Sequence, residues 1–355
     1  MNSYDVVIAG GGFGGLICAK TLAEHGIRTL LLERKKAPGV GMHTTGIIVG
    51  ECAEEFALPD HLTRRITRVR LYAPNLKHTE LATDSYFFLA TDTPAVMRHL
   101  SDEAIRAGAD ILYDTPYEKG EANGDFLITN GQYRSRFLIG ADGPRSKVAD
   151  DFSLGQNTEF LLGAEAEYTG LPLTDDNAFY CFLDQQLARG YLGWVIPSVG
   201  VSQVGIAQRL PRKPDIDAFV MRMKNVFDFS KSEVVARRGG LIPVGGLVRP
   251  FAAHNVILLG DSAGIVSPLT AGGIHTAMHY GKQLGDYLAD YMKNSCKGES
   301  PAEMLARHYP RFYFKQGLRK AYEHLAPDWL LNGIIGNPIF GAAANHIFFK
   351  RKTLR

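Results

Sequence analysis

The chain opens with a strand-like run, Tyr4-Asp5-Val6-Val7-Ile8-Ala9. It breaks at Gly10-Gly11-Gly12-Phe13-Gly14-Gly15 and resumes at Thr29-Leu30-Leu31-Leu32-Glu33-Arg34. An apolar strand, a Gly-x-Gly-x-x-Gly turn, a helix, a second strand and a terminal acid are the ordered parts of a dinucleotide-binding βαβ unit. Gly10 allows the tight turn, Gly12 lets backbone approach a pyrophosphate, and Gly15 lets the helix pack closely on the sheet. Phe13 and Gly14 complete the turn. Amides at the helix N-terminus suit a pyrophosphate, and Glu33, with Arg34 beside it, is placed to meet a ribose hydroxyl. A structural glycine turn is the common alternative, but strand, helix and acid in this order favour nucleotide binding.

With 355 residues the chain can hold one large core or two lobes sharing one. A net charge of +2 gives no reason to expect a nucleic-acid partner. Cys18, Cys52, Cys181 and Cys296 show no metal or redox spacing, which suits a reducing cytoplasm, and no metal is expected. Asp5 falls where a signal peptide would need its apolar core, so no secretory signal is expected. Residues 329–349 approach the roughly 20 residues of a membrane span. Asn332, Gly333, Gly336, Asn337, Pro338, Asn345 and His346 interrupt them, so a pair of short packed helices is expected. A second reading lays residues 329–352 against a membrane as a peripheral contact, with Lys350, Arg351 and Lys352 facing headgroups.

Segments of helical and strand period alternate along the chain. Residues 66–90 read as strands of a second sheet, 93–107 as a helix and 110–113 as a short strand. Residues 125–139 read as a hairpin turning at Asn130-Gly131. Strands dominate 159–248, with one helix at 216–227, and a buried strand at 256–259 precedes a helix over 273–291. This alternation predicts an α/β fold with a Rossmann-like nucleotide domain (1–65, 92–155 and 253–295). A β-rich substrate domain (66–91 and 156–252) interleaves with it, and a C-terminal helical segment (296–355) follows. Ligand pockets commonly lie between such lobes.

Two further motifs share the grammar of strand, turn and acid. One is Phe137-Leu138-Ile139-Gly140-Ala141-Asp142-Gly143. The other is Val256-Ile257-Leu258-Leu259-Gly260-Asp261, which continues to Pro268-Leu269-Thr270-Ala271-Gly272-Gly273-Ile274. Each alone is a common connection. In this order after the N-terminal turn, they make the chain resemble the FAD-dependent reductases and hydroxylases of the p-hydroxybenzoate hydroxylase fold. The resemblance covers about residues 1–295 and implies FAD as resident cofactor. It implies that Asp142-Gly143 supports the pyrophosphate region and that Gly260-Asp261 contacts the pyrophosphate and ribityl chain. Pro268, Gly272, Gly273 and Ile274 would approach the flavin pyrimidine end, where a helix N-terminus stabilises the negative charge of reduced flavin. Arg98 matches an arginine near the phosphates, and Tyr117 a position whose backbone touches adenine; an exposed tyrosine is the plain alternative. No second glycine fingerprint is present, so electrons would come from transiently bound NAD(P)H or from a reduced carrier protein.

In the β-rich part, Tyr191-Leu192-Gly193-Trp194-Val195-Ile196-Pro197 resembles the tyrosine–tryptophan–proline signature of the geranylgeranyl reductase family. That resemblance implies a flavin hydride added across carbon–carbon double bonds of an apolar, isoprenoid-like substrate held against aromatic side chains. Tyr191 lies one residue further from Trp194 than in the family pattern, which predicts a bulge. Archaeal members often carry a cysteine near Met42-His43-Thr44-Thr45, and this chain has none, so His43 and Thr44 join Tyr191 and Trp194 as candidate site residues. An ordinary loop histidine is the plain reading of His43. The alternatives are an FAD-dependent monooxygenase or halogenase, the latter needing a tunnel lysine for which Lys77 is the candidate, and a non-catalytic flavoprotein redox sensor.

Overall fold

The computed structural model describes residues 1–83 and 85–349. The N-terminal fingerprint builds the centre of a six-stranded sheet. Its order is Ala252–Ala253, Val256–Leu258, Phe137–Gly140, Val6–Ala9, Thr29–Leu32 and Asp110–Leu112, parallel except for the first pair. The three motif strands, Val6–Ala9, Phe137–Gly140 and Val256–Leu258, are therefore neighbours, and their C-terminal ends line one edge. The central strands are buried on both faces, which is why they read as continuous apolar runs.

Helix Phe13–Glu24 crosses the long helix Ile274–Lys293 at close range. Small residues make this possible: a Cβ on Gly281 would lie 2.6 Å from Gly14 O, and one on Gly285 would lie 2.7 Å from Thr21 Cβ. Helix Thr93–Arg106 starts where the sequence predicts, with Asp92 capping Ala95 N at 3.0 Å and Pro94 in its first turn. Strands Phe126–Thr129 and Tyr133–Ser135 form the expected hairpin, with Asn130 and Gly131 at positive φ. Phe137–Gly140 instead leaves the hairpin for the six-stranded sheet.

The second large sheet has seven strands, in the order Glu233–Pro243, Phe160–Thr169, Ser202–Arg209, Gly193–Pro197, Ala178–Phe182, Arg68–Tyr72 and His78–Ala82. Alternate side chains feed two cores. Tyr180, Phe182, Val195 and Ile206 face helix Ile216–Met223. Phe179, Cys181, Trp194, Ile196 and Ala207 face the opposite way, towards Phe340, Ala344, Phe348 and Phe349. Phe88–Thr91, expected among the strands of this sheet, lies instead at the centre of a separate three-stranded sheet, between Ile47–Val49 and Thr63–Ile66.

The apolar C-terminal stretch forms two short helices, Asp328–Ile334 and Pro338–Phe349. No helix among the described residues is long and apolar enough to cross a membrane. Trp329, Ile339 and Ile347 are exposed on these helices. The lipid-facing reading of Lys350, Arg351 and Lys352 lies outside the described residues.

Candidate functional site

The three motif turns meet at the C-terminal edge of the six-stranded sheet. Gly10 adopts φ +105°, and a Cβ there would lie 2.3 Å from Ala141 O, so the first two motifs touch through backbone. A Cβ on Gly15 would lie 2.0 Å from Gly10 O, whereas one on Gly12 would meet nothing within 4 Å. Gly10 and Gly15 are thus required by packing, while Gly12 leaves an open approach to backbone at the start of helix Phe13–Glu24. Phe13 and Gly14 face inward, Phe13 into the core and Gly14 against Ala277 O.

Glu33 is buried at the end of Thr29–Leu32 and accepts from Gly11 N at 2.6 Å and Lys35 N at 2.9 Å. The acid thereby holds the glycine turn in place. Arg34 and Arg98 are exposed, Arg98 on helix Thr93–Arg106. Asp142 accepts from Ser146 Oγ at 2.7 Å and Val148 N at 3.1 Å, which orders the start of helix Lys147–Asp151. Burial raises its pKa against these bonds. Gly143 beside it has φ +90° with open space at its Cβ position. The Tyr117 side chain is not exposed: it is buried and donates to Asp151 Oδ2 at 2.8 Å.

Gly260 and Gly264 both adopt the left-handed region, bending the chain through a short 3-10 turn, Gly260–Ala263. Asp261 is half-buried with no cation paired to it among the described residues, and desolvation pushes its pKa up to about 6. Loop 267–273 is closed by Ser267 N to Gly272 O at 3.1 Å and Ala271 N to Ser267 O at 2.9 Å. It ends at Gly273, which caps the helix Ile274–Lys293 without a side-chain partner. The first amides of that helix and exposed Gly272 therefore face outward at the same edge.

The β-rich part reaches this loop directly. Tyr191 donates to Thr270 O at 2.7 Å, and Ala271 packs with Tyr191 against the apolar core that contains Trp194. No bulge accommodates the spacing of Tyr191 and Trp194. The strand begins at Gly193, its pairing on both sides is regular, and Tyr191 lies in the preceding turn. The register shift in this sheet falls elsewhere, between Glu167 and Tyr168.

Residues 43–46 are held between the two halves. His43 Nδ1 lies 2.9 Å from Gly239 O, Gln203 donates to Thr45 O at 3.0 Å, and Thr93 Oγ1 to the same carbonyl at 3.3 Å. Thr44 Oγ1 only accepts a long bond from Gly46 N, at 3.4 Å. The polar centre is a residue that sequence reasoning missed. Glu165 Oε2 accepts from Thr45 Oγ1 at 2.7 Å and Trp194 Nε1 at 2.8 Å, while Oε1 pairs with Arg238 Nε at 2.7 Å. Arg238 also pairs with Glu167. Burial raises the Glu165 pKa, with Arg238, Thr45 and Trp194 opposing that rise. Its partners lie 29 to 120 residues away, so no local pattern marks it.

Glu55, His275 and His279 bring possible metal-ligand atoms together on the flank of helix Ile274–Lys293. His279 Nδ1 bonds the Glu55 carboxylate directly at 2.9 Å. Lys77 occupies an exposed turn, its amide bonded to Asn75 Oδ1 at 3.1 Å.

An open glycine turn, a terminal acid, an unpaired half-buried carboxyl and a helix N-terminus without a side-chain cap along one sheet edge fit an extended dinucleotide. The FAD binding domain family matches residues 3–306. The chain belongs to that family. FAD is its cofactor. Digeranylgeranylglycerophospholipid reductase 3 of Methanosphaera stadtmanae is 28% identical over 311 residues, covering 79% of this chain and 76% of that one. Geranylgeranyl diphosphate reductase of Rhodobacter capsulatus is 27% identical over 287 residues, covering 77% and 72%. A solved geranylgeranyl bacteriochlorophyll reductase-like protein of Thermoplasma acidophilum superposes with a TM-score of 0.85 at 17% identity, covering 99% of this chain and 97% of that one. The p-nitrophenol 4-monooxygenase PnpA of Pseudomonas putida superposes with 0.70 at 16%, covering 99% and 100%. The fold is that of the p-hydroxybenzoate hydroxylase-like flavoproteins, and the resemblance read at Trp194–Pro197 extends over most of the chain.

Proposed function

We propose that the protein is an FAD-dependent reductase that saturates carbon–carbon double bonds of a hydrophobic, isoprenoid-like substrate. The observation that carries this reading is the apolar core joined to loop 267–273. Tyr191 bonds Thr270 O, and behind it Trp194, Phe179, Ile196, Phe88 and Ala271 belong to one cluster that continues to Phe340 and Phe349. A greasy chain needs this kind of contact, extended and aromatic, with little rotamer entropy lost. The names of the curated relatives support the same substrate class.

In this reading Gly10, Gly12, Gly15, Glu33 and Arg98 hold the ADP half of FAD, and Asp142, Gly143, Gly260 and Asp261 follow its centre. Pro268, Gly272, Gly273 and Ile274 lie at the flavin end. The bound cofactor supplies hydride, received from NAD(P)H or a reduced carrier protein. The chain orients the substrate against Tyr191 and Trp194 and excludes water through the apolar core. Residues 43–46, held against Glu165, Gln203 and Gly239, are the part of the substrate side that carries exchangeable protons. The domain division read from the sequence is kept: residues 1–65, 92–155 and 253–295 serve the cofactor, and 66–91 with 156–252 serve the substrate.

Anaerobic, chemically reduced protein is incubated with geranylgeranyl compounds and the products weighed by mass spectrometry. The reading expects a gain of two hydrogens per reduced bond together with flavin reoxidation. An oxygen-dependent gain of oxygen or halogen would establish the monooxygenase or halogenase alternative. FAD binding without substrate-dependent reoxidation of any isoprenoid would leave a redox sensor.

A further inference from the structure

Behind loop 267–273 lies an arginine with too few partners. Arg319, on helix Tyr313–Leu325, is only 3% exposed, and its Nη1 reaches Pro268 O at 3.3 Å. Its Nε and Nη2 have no hydrogen-bond partner among the described residues. A buried guanidinium is costly to remove from water without a paired anion. Glu323, one turn on, is the obvious counter-ion, but its Oε2 is bonded by Arg209 at 3.3 Å, and Arg209 also holds Glu159 at 3.0 Å.

A second cation lies one turn earlier on the same helix face, because residues four apart are neighbours on a helix. Lys315 is half-buried against the Phe312 ring, 5.3 Å from its centroid, and forms no carboxylate pair among the described residues. Desolvation lowers the pKa of both groups; nothing opposes it at Lys315, and at Arg319 the nearby Glu323 carboxylate offsets it only in part. The surroundings on the inner side are apolar. Tyr191, whose backbone carbonyl accepts from Tyr322 of this helix at 2.7 Å, leads from there to the cluster of Ala271, Trp194 and Phe340.

We propose that Arg319 and Lys315 form the receptor for the phosphate of a phosphate-bearing prenyl substrate, with the prenyl chain running past Tyr191 into the apolar core. This rests on the isoprenoid reading above. The free Nε and Nη2 of Arg319 present the fork that grips two phosphate oxygens, and Lys315 adds a point charge nearer the surface. Side chains one turn apart, about 5–6 Å between Cβ atoms, suit either a diphosphate or the phosphodiester of a lipid headgroup. The bound phosphate adds to the counter-charge of Glu323, which Arg319 shares with Arg209. Both residues lie beyond residue 306, outside the segment matched by the cofactor-binding family.

Dissociation constants are measured on the FAD-loaded protein by equilibrium dialysis. The probes are geranylgeranyl diphosphate, a detergent-dispersed geranylgeranyl ether phospholipid, and neutral geranylgeraniol. The wild type is expected to bind at least one phosphate-bearing probe about tenfold or more tightly than the alcohol, and the tighter of the two names the source of the phosphate. Arg319→Gln should abolish that preference, Arg319→Lys should keep part of it, and Lys315→Gln should weaken it. Alcohol binding should stay at the wild-type level, measured on protein reloaded with FAD because Arg319 also holds Pro268 O. Should Arg319→Gln not fold, Arg319→Lys and Lys315→Gln still decide the matter. An unchanged preference in the folded variants, or wild-type protein that binds alcohol and phosphates alike, overturns the assignment while the isoprenoid reading stands. Wild-type protein that binds no prenyl compound overturns both.

Discussion

Trp194 donates its indole N–H to Glu165 Oε2 at 2.8 Å, so the aromatic wall of the candidate substrate site is fixed by a buried carboxylate. The side chains of Glu165 and Arg238 are only 4% and 9% exposed. Removing the acid leaves Arg238 with Glu167 alone and strands two neutral donors. Glu165→Ala is therefore expected to destabilise the protein by about 3–5 kcal/mol. Trp194→Phe, which leaves the ion pair intact, should cost about 1–3 kcal/mol. Urea unfolding of both variants checks the order; equal losses would mean that the ion pair adds nothing.

The glycine turn separates packing from cofactor contact. Gly15→Ala drives a Cβ into Gly10 O and should sharply reduce the yield of folded protein. Gly12→Ala meets no protein atom and should unfold within about 0.5 kcal/mol of wild type. It should nevertheless lose FAD, because a methyl group then occupies the backbone approach. Thermal melts of apoprotein and flavin titration of the same samples test the contrast. A Gly12→Ala protein that is both stable and fully yellow contradicts it.

Glu33 holds Gly11 N and Lys35 N at once, so it shapes the turn as well as offering an acceptor. Glu33→Gln keeps an oxygen for one amide only. FAD affinity is expected to fall about ten- to a hundredfold, which corresponds to roughly 1.4–2.8 kcal/mol, with Glu33→Ala weaker still. Fluorescence of released flavin measures both.

Asp261 makes the apoprotein pH-sensitive in a direction opposite to most carboxylates. Its folded pKa, about 6, lies above the unfolded value near 4. The folded state therefore binds more protons between these values, and stability falls as pH rises through that window. Asp261→Asn apoprotein should exceed wild type by about 1–3 kcal/mol at pH 7.5, the gap closing below pH 4. Denaturant midpoints across this range test the sign. If Asp261 follows the centre of the cofactor as proposed, the same variant should also bind FAD less tightly.

Local patterns carried the cofactor half of the molecule. Gly10, Gly15 and the Gly260 turn announce themselves because backbone geometry restricts those positions to glycine, and the three strands before the turns are apolar throughout. The substrate half was less legible for a physical reason. Its strands are buried on both faces, so alternation is lost at Ala178–Phe182 and Gly193–Pro197, and strand 88–91 reads like its neighbours although it pairs in another sheet. The expected bulge did not occur because Tyr191 lies in the turn before the strand. Tyr117 points its ring into the protein because Asp151, 34 residues away, accepts a hydrogen bond from its hydroxyl. Glu165 with Arg238 and Arg319 with Pro268 are pairings across 73 and 51 residues. Such pairs exist only after the chain has folded, and single residues of these types look like ordinary surface charges.

Loop 267–273 is gripped from outside the nucleotide fold, at Pro268 by Arg319 and at Thr270 by Tyr191, which Tyr322 in turn holds. Helix Tyr313–Leu325 thus sets the position of a loop that belongs to another part of the chain. A substitution in that helix can therefore shift the loop without touching a single residue of the nucleotide fold.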